Sequence, residues 1–140
     1  MEPRVDLISL GVRSVDASRS FYVDGLGWPV HREVRGEVLF IQANHGLILS
    51  LWDAGQMQAE AATDPPARRP CITLSHNLAG TAEVDRVMAE AESAGAEIIA
   101  EPKTQPWGGY TGYFADPDGY RWEVAFNPGW AVAGNGKVTL

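Results

Sequence analysis

The sequence predicts an α+β fold built from two βαβββ modules. Three observations carry that prediction. The order strand, helix, strand, strand, strand reads twice along the chain. The halves align residue by residue: Ile8-Ser9-Leu10 lies over Ile72-Thr73-Leu74 at an offset of 64, and Leu26-Gly27 lies over Ala94-Gly95 at an offset of 68. The turn glycines Gly46 and Gly119 differ by 73, so the offset grows only as small loop insertions require. One such module cannot bury its sheet face alone, whereas two side by side can curl round a shared concavity.

Each element follows from local pattern. Val5 to Val12 is β-rich, with Ile8, Leu10 and Val12 alternating onto one face. Asp16 is a candidate cap for a helix from Ala17 to about Leu26, with Phe21 and Tyr22 as its bulk and Gly25 and Gly27 at its end. Pro29–Val34, Val38–Ala43 and Leu47–Trp52 read as strands, the last two joined over Ala43-Asn44-His45-Gly46. Asp53 to Arg69 is rich in Ala, Gln, Asp, Pro and Arg and reads as a surface linker. In the second half, Cys71–Ser75 is a strand. Gly80 to Ala94 is helical, with Val84, Val87, Met88 and Ala91 at helical spacing. Ala96–Ala100 is a strand and Glu101–Gly109 a loop. Tyr110–Ala115 and Tyr120–Phe126 form a hairpin over Asp116-Pro117-Asp118-Gly119. The tail from Asn127 has no clear pattern beyond a short strand at Lys137–Leu140. The expected organisation is one domain over 1–140: module 1 at about 5–52, a linker at 53–69, module 2 at about 70–128, and a tail at 129–140.

Composition narrows the function. The chain has 140 residues, 45% of them apolar and 21% charged, which suffices for a core without disulfide or metal staples. Eleven Lys and Arg face 18 Asp and Glu, for a net charge of −7 and a pI of about 4.8. Such a surface repels phosphate backbones, so nucleic acid is not an expected partner. No apolar run approaches the roughly 18 residues of a membrane span. The first residues lack the basic and apolar regions of a signal peptide, so the expected location is cytoplasmic. The single cysteine, Cys71, leaves no internal disulfide and no Cys-rich metal site.

Several segments resemble the vicinal oxygen chelate superfamily, which includes glyoxalases, bleomycin-binding proteins and extradiol dioxygenases. They are Leu10-Gly11-Val12, Ser20-Phe21-Tyr22, Leu26-Gly27 and the hairpin Gly112-Tyr113-Phe114-Ala115-Asp116-Pro117-Asp118-Gly119 with Trp122-Glu123. The resemblance covers about residues 5 to 128 and implies the glyoxalase/bleomycin resistance fold, in which paired βαβββ modules form a cup-shaped, barrel-like mixed sheet. It also implies four inward positions that carry metal ligands in such enzymes: Leu7, Ser50, Cys71 and Glu123 in this sequence. Leucine cannot ligate, and a serine hydroxyl is a poor ligand beside imidazole or carboxylate. Glu123 and Cys71 are the two weak metal candidates, and no metal or other cofactor is expected. A divalent metal is the alternative. His31, His45 and His76 show no His-x-His or His-x3-His spacing.

If those four positions face inward, alternation turns Ser9, Ile48, Trp52, Thr73 and Arg121 the same way. Pairing over the turns adds Ile41 and Phe114. Ile8, Leu10, Leu49, Leu51, Leu74, Trp122 and Val124 then pack under the helices. Glu123 reads as a pocket carboxylate acting as ligand anchor or general base. Arg121 either pairs with it or binds an anionic group. Cys71 reads as a small buried apolar residue. Trp52 and Trp107 are candidate ligand contacts; Trp107 either stacks on a ligand or plugs the end of the barrel. Trp28 and Trp130 suit a contact between two copies of the chain, and a homodimer is the expected assembly. The reading that follows is a protein that binds a small hydrophobic or aromatic molecule. The alternative is a lyase, isomerase or dioxygenase, metal-dependent or using Glu123 as general base.

Overall fold

A computed structural model describes residues 5–61 and 72–139. Two compact units divide the chain between residues 70 and 71.

The first unit runs β1 (Leu7–Val12), α1 (Val15–Arg19), β2 (Val30–Val34), β3 (Val38–Asn44), β4 (Leu47–Asp53) and α2 (Ala54–Ala61). Its sheet has the order β1-β4-β3-β2, with β1 parallel to β4 and the other pairs antiparallel. One face carries Leu10, Val12, Leu39, Ile41, Leu49 and Leu51, all nearly inaccessible to solvent. Against it lies α1, which continues through Ser20–Gly25 as a π-helical turn and brings in Phe21 and Tyr22. The two rings meet edge to face, 4.9 Å apart, and Tyr22 also contacts Trp28 at 5.4 Å. Burying a side chain the size of Phe21 contributes about 1.5–3 kcal/mol, so this helix carries much of the unit's core. The cap differs from expectation. The Ser14 side chain accepts from the Ala17 N–H at 3.2 Å, and Asp16 sits inside the first turn, where its charge still favours the helix dipole.

The second unit runs β5 (Thr73–Leu78), α3 (Thr81–Ser93), β6 (Glu97–Thr104), β7 (Tyr110–Ala115), β8 (Arg121–Phe126), β9 (Ala131–Val132) and β10 (Val138–Thr139). Its sheet order, β5-β8-β7-β6, reproduces the first, again with a parallel pair between its first and last strands. Val84, Met88 and Ala91 of α3 are buried against the face that carries Val124, Trp122 and Phe114. Gly112 lets α3 approach: a Cβ there would sit 3.0 Å from both Met88 Cε and Pro102 Cγ. The helix ends at Gly95, whose φ of +99° suits glycine.

The two βαβββ modules are therefore present, with corrections at their joints. The expected linker begins with a helix, α2; its remainder, and Cys71, lie outside the described residues. β6 extends through Pro102 to Thr104, where a loop was expected, and proline is tolerated because β6 is an edge strand. The tail forms the small β9–β10 ladder, so the short strand expected near its end is Val138–Thr139, paired with Ala131–Val132. No described helix is long and apolar enough to cross a membrane.

Candidate functional site

Glu123 lies on β8, on the sheet face away from α3. Alternation and register put Thr73, Ser75 and Asn77 of β5, Thr111 and Tyr113 of β7, and Arg121 and Ala125 of β8 on that face. Ser75 and Tyr113 stand directly beside Glu123 and donate to it: Ser75 Oγ to Oε2 at 2.8 Å and Tyr113 Oη to Oε1 at 2.5 Å. The carboxylate thus has a hydroxyl on each oxygen. Its hydrogen bond and negative charge, with some desolvation, raise the Tyr113 pKa above the ordinary phenol value, while a hydrogen bond with Thr111 works weakly the other way. Arg121 is exposed on the same face, but Ser75 and Tyr113 hold the two oxygens.

A cavity of about 240 Å³ opens beside this group, floored by Ser75, Asn77, Glu123 and Ala125. Its walls are Trp107, Asn127 and Trp130. Trp107 projects from the turn between β6 and β7. That turn is closed by Gln105 N–H to Gly109 O at 2.7 Å and Gly108 N–H to Gln105 O at 2.9 Å, and Gln105 Nε2 donates to the buried Thr111 hydroxyl at 2.8 Å. The segment is a pinned turn rather than a loose flap. Its indole lies over the buried Gly109, where a Cβ would fall 1.8 Å from Trp107 Cη2. Gly109 thereby fixes where the ring can rest. Trp130 is set by a second turn, in which Asn127 Oδ1 accepts from the Gly129 N–H at 3.0 Å and Asn127 O from the Trp130 N–H at 3.1 Å. Both indoles are open to solvent, Trp107 at 56% and Trp130 at 37%.

The first unit has its own counterpart face. Leu7, Ser9 and Gly11 pair with Ile48, Ser50 and Trp52 in register, so the expected set does share one side of that sheet. Ser50 Oγ and Trp52 Nε1 are buried there with no hydrogen-bond partner among the described residues. Part of this face is covered from within the unit. Met57 Cε and Ala54 Cβ of α2 lie 3.0 and 3.4 Å from where a Gly11 side chain would start.

Two expected members of these faces belong elsewhere. Phe114 pairs with Trp122 and stacks on it on the α3 side, with ring centroids 6.2 Å apart and only 4% exposure. Ile41 pairs with Leu49 and is buried in the α1 core. In the second hairpin the loop holds five residues rather than four, and in the first an extra residue sits between Gln42 and Asn44; either one-residue slip sends a side chain to the other face. The true neighbours are Tyr113 and Phe40, the latter opposite Ser50. Thr73 keeps its expected side, opposite Arg121. His76 lies on the α3 side; part of its surface is exposed, but desolvation of its ring and the Arg86 guanidinium both lower its pKa.

The four implied ligand positions carry few of the strong donors that a divalent metal site uses. Leu7 has no donor atom, Ser50 offers a hydroxyl, Cys71 lies outside the described residues, and Glu123 already accepts two hydrogen bonds. Catalytic sites typically need about three strong ligands. Among the described residues, no three His, Cys, Asp or Glu side chains come together.

Comparison with known proteins fits this architecture. Residues 4–124 match the sequence pattern of the Glyoxalase/Bleomycin resistance protein/Dioxygenase superfamily. A glyoxalase-related enzyme from Fulvimarina pelagi is 34% identical, with 99% of this chain and 98% of that one aligned at a TM-score of 0.90. A glyoxalase/bleomycin resistance protein/dioxygenase from Nocardioides shares the fold at 24% identity and a TM-score of 0.76, covering 100% and 91% of the two chains. A lactoylglutathione lyase from Agrobacterium tumefaciens does so at 22% identity and a TM-score of 0.67, covering 89% and 94%. No curated protein matches the chain. From the match over most of its length and the shared βαβββ units, the chain belongs to the Glyoxalase/Bleomycin resistance protein/Dioxygenase superfamily.

Proposed function

We propose that this protein binds a small hydrophobic or aromatic molecule at the Glu123 face of its second unit, without a metal. The observation that carries the reading is the cavity itself: two solvent-open indoles beside a hydrogen-bonded carboxylate. Exposed indoles offer large, rigid stacking faces, and the few polar groups fix orientation. In the first unit, α2 already covers part of the matching face, which favours the second unit as the ligand-bearing one.

A second reading follows from the Tyr113–Glu123 pair. A carboxylate held between two hydroxyls can take a proton from a carbon next to a carbonyl, and the phenol can return one to the resulting oxyanion. This gives a metal-free isomerase or lyase that uses the same residues. Glu123 is then the general base and Tyr113 the proton donor.

The test is a tryptophan-fluorescence titration of the full chain with a panel of aromatic and amphipathic compounds, before and after chelator treatment. Saturable quenching at one site per chain, unchanged by chelation and weakened at least about fivefold in Trp107→Ala, is the expected result. Binding lost on chelation and restored by nickel, zinc, iron or manganese overturns the metal-free reading. Turnover of a bound compound that vanishes in Glu123→Gln while binding persists selects the enzyme.

A further inference from the structure

We infer that the Glu123 cavity takes a small organic cation, an ammonium group carried on one ring or a short apolar body. The inference rests on the binding reading above and names the ligand class for that site.

Charge is the first argument. Among the described residues lining the cavity, Glu123 alone is ionisable, and Arg121, on the same sheet face, is not part of the lining; the other lining groups are hydroxyl, amide, indole and methyl. An ionised carboxylate has about four acceptor directions. Ser75 and Tyr113 occupy one on each oxygen, which leaves acceptor capacity and a full negative charge at the cavity floor. An anion meets like charge there. A neutral apolar body strips water from the carboxylate and gives nothing in return, which costs free energy. A cation compensates the charge it covers.

The indoles supply the second argument. Trp is the strongest of the aromatic side chains at holding a cation over its face. Trp107 and Trp130 come from two separate turns to line the same cavity, each held by backbone hydrogen bonds, and both are exposed. Exposed tryptophans beside a carboxylate that has no ion pair among the described residues are the elements of an ammonium-binding site. Asn77 and Asn127, also at the cavity, add amide oxygens able to accept from a primary or secondary ammonium, whereas a quaternary one relies on the carboxylate charge and the indole faces.

Size sets the limit. Pockets for drug-sized ligands run from about 300 Å³ upward. At about 240 Å³ this one suits a smaller molecule, such as a single ring with a charged side arm.

The experiment is calorimetric titration of the full chain with three probes: benzyltrimethylammonium, its neutral isostere neopentylbenzene, and 3-phenylpropanoate. The cation should bind at least about tenfold more tightly than the neutral probe, and the anion more weakly than either. Glu123→Gln should cut the cation's affinity about tenfold and leave the neutral probe's equal or higher. Trp107→Leu, at an exposed position outside the core, keeps apolar bulk but removes the π face. It should lower the cation's affinity about threefold and the neutral probe's by less, and it tests the inference if the Glu123 variant does not fold. Equal or tighter binding of the neutral probe overturns the cation assignment and leaves the small-molecule reading standing. Failure of all three probes on folded wild-type protein overturns both.

Discussion

Tyr113 and Glu123 form the pair on which the site turns, and its pH behaviour follows from which partner is charged. Ionising the phenol would place a second negative charge 2.5 Å from the carboxylate and break the hydrogen bond, so the folded protein holds the Tyr113 proton to higher pH than the unfolded chain does. The unfolded value is about 10. The stabilisation is therefore fully present below that pH and is lost as the pH rises through the higher, folded value. Near-ultraviolet absorbance should show Tyr113 among the phenols that ionise late, and Glu123→Gln should bring its step back toward the ordinary value. Tyr110 shifts the same way through its 2.8 Å bond to Asp85, so Tyr113→Phe is needed to assign the late step. Coincident titrations of wild type and Glu123→Gln would mean that the pair does not form in solution.

At the scale of the element, the β7–β8 hairpin decides what Glu123 meets. Its loop runs from Asp116 to Tyr120, and Asp116 organises it. Asp116 Oδ1 accepts from the Asp118 N–H at 3.0 Å and the Tyr120 N–H at 2.8 Å, while its backbone O accepts from the Gly119 N–H at 2.8 Å. Asp116 is buried, so Asp116→Ala leaves two amides without their charged acceptor and should destabilise the protein by about 1.5–3 kcal/mol in urea unfolding. A change within about 0.5 kcal/mol would show that water replaces the carboxylate. The strands, the long helix and the turn glycines Gly46 and Gly119 were legible in the sequence, because periodicity and positive-φ chemistry are local signals. The register was not. Counting a four-residue turn puts Phe114 opposite Arg121, but the Asp116 loop holds five residues and brings Tyr113 opposite Glu123. The first hairpin repeats the lesson. An irregularity between Gln42 and Asn44 turns Ile41 to the core and Phe40 toward Ser50. Glu123 and Trp107 could be read as members of the candidate site from the motif and the loop. Ser75, Tyr113 and Trp130 needed the pairing, the loop length and the tail turn, none of which is a local property of those residues.

Across the whole molecule the internal repeat holds more strongly in pairing than in sequence. Ser9 faces Ser50 as Ser75 faces Glu123, so strand register relates the first strands by 66 residues rather than the 64 that best aligns their letters. Thr73 then takes the place of Leu7. The net charge of −7 adds a long-range pull on a cation and predicts that its association slows as salt rises. The two core inventories also say what the chain can lose. Among the described residues, none after Ala125 is in the buried core, and β9 and β10 pair only with each other. A two-stranded ladder is marginal by itself, so it should contribute little to global stability. Removing residues 131–140 should therefore shift unfolding by no more than about 0.5 kcal/mol and leave ligand titrations unchanged. Removing 127–140 also deletes Asn127 and Trp130, and should weaken binding about tenfold while the unfolding transition stays in place. A lower urea midpoint in the shorter deletion would instead assign the terminal ladder a share in holding the fold. Unchanged affinity in the longer one would leave Trp107 as the sole aromatic wall of the site.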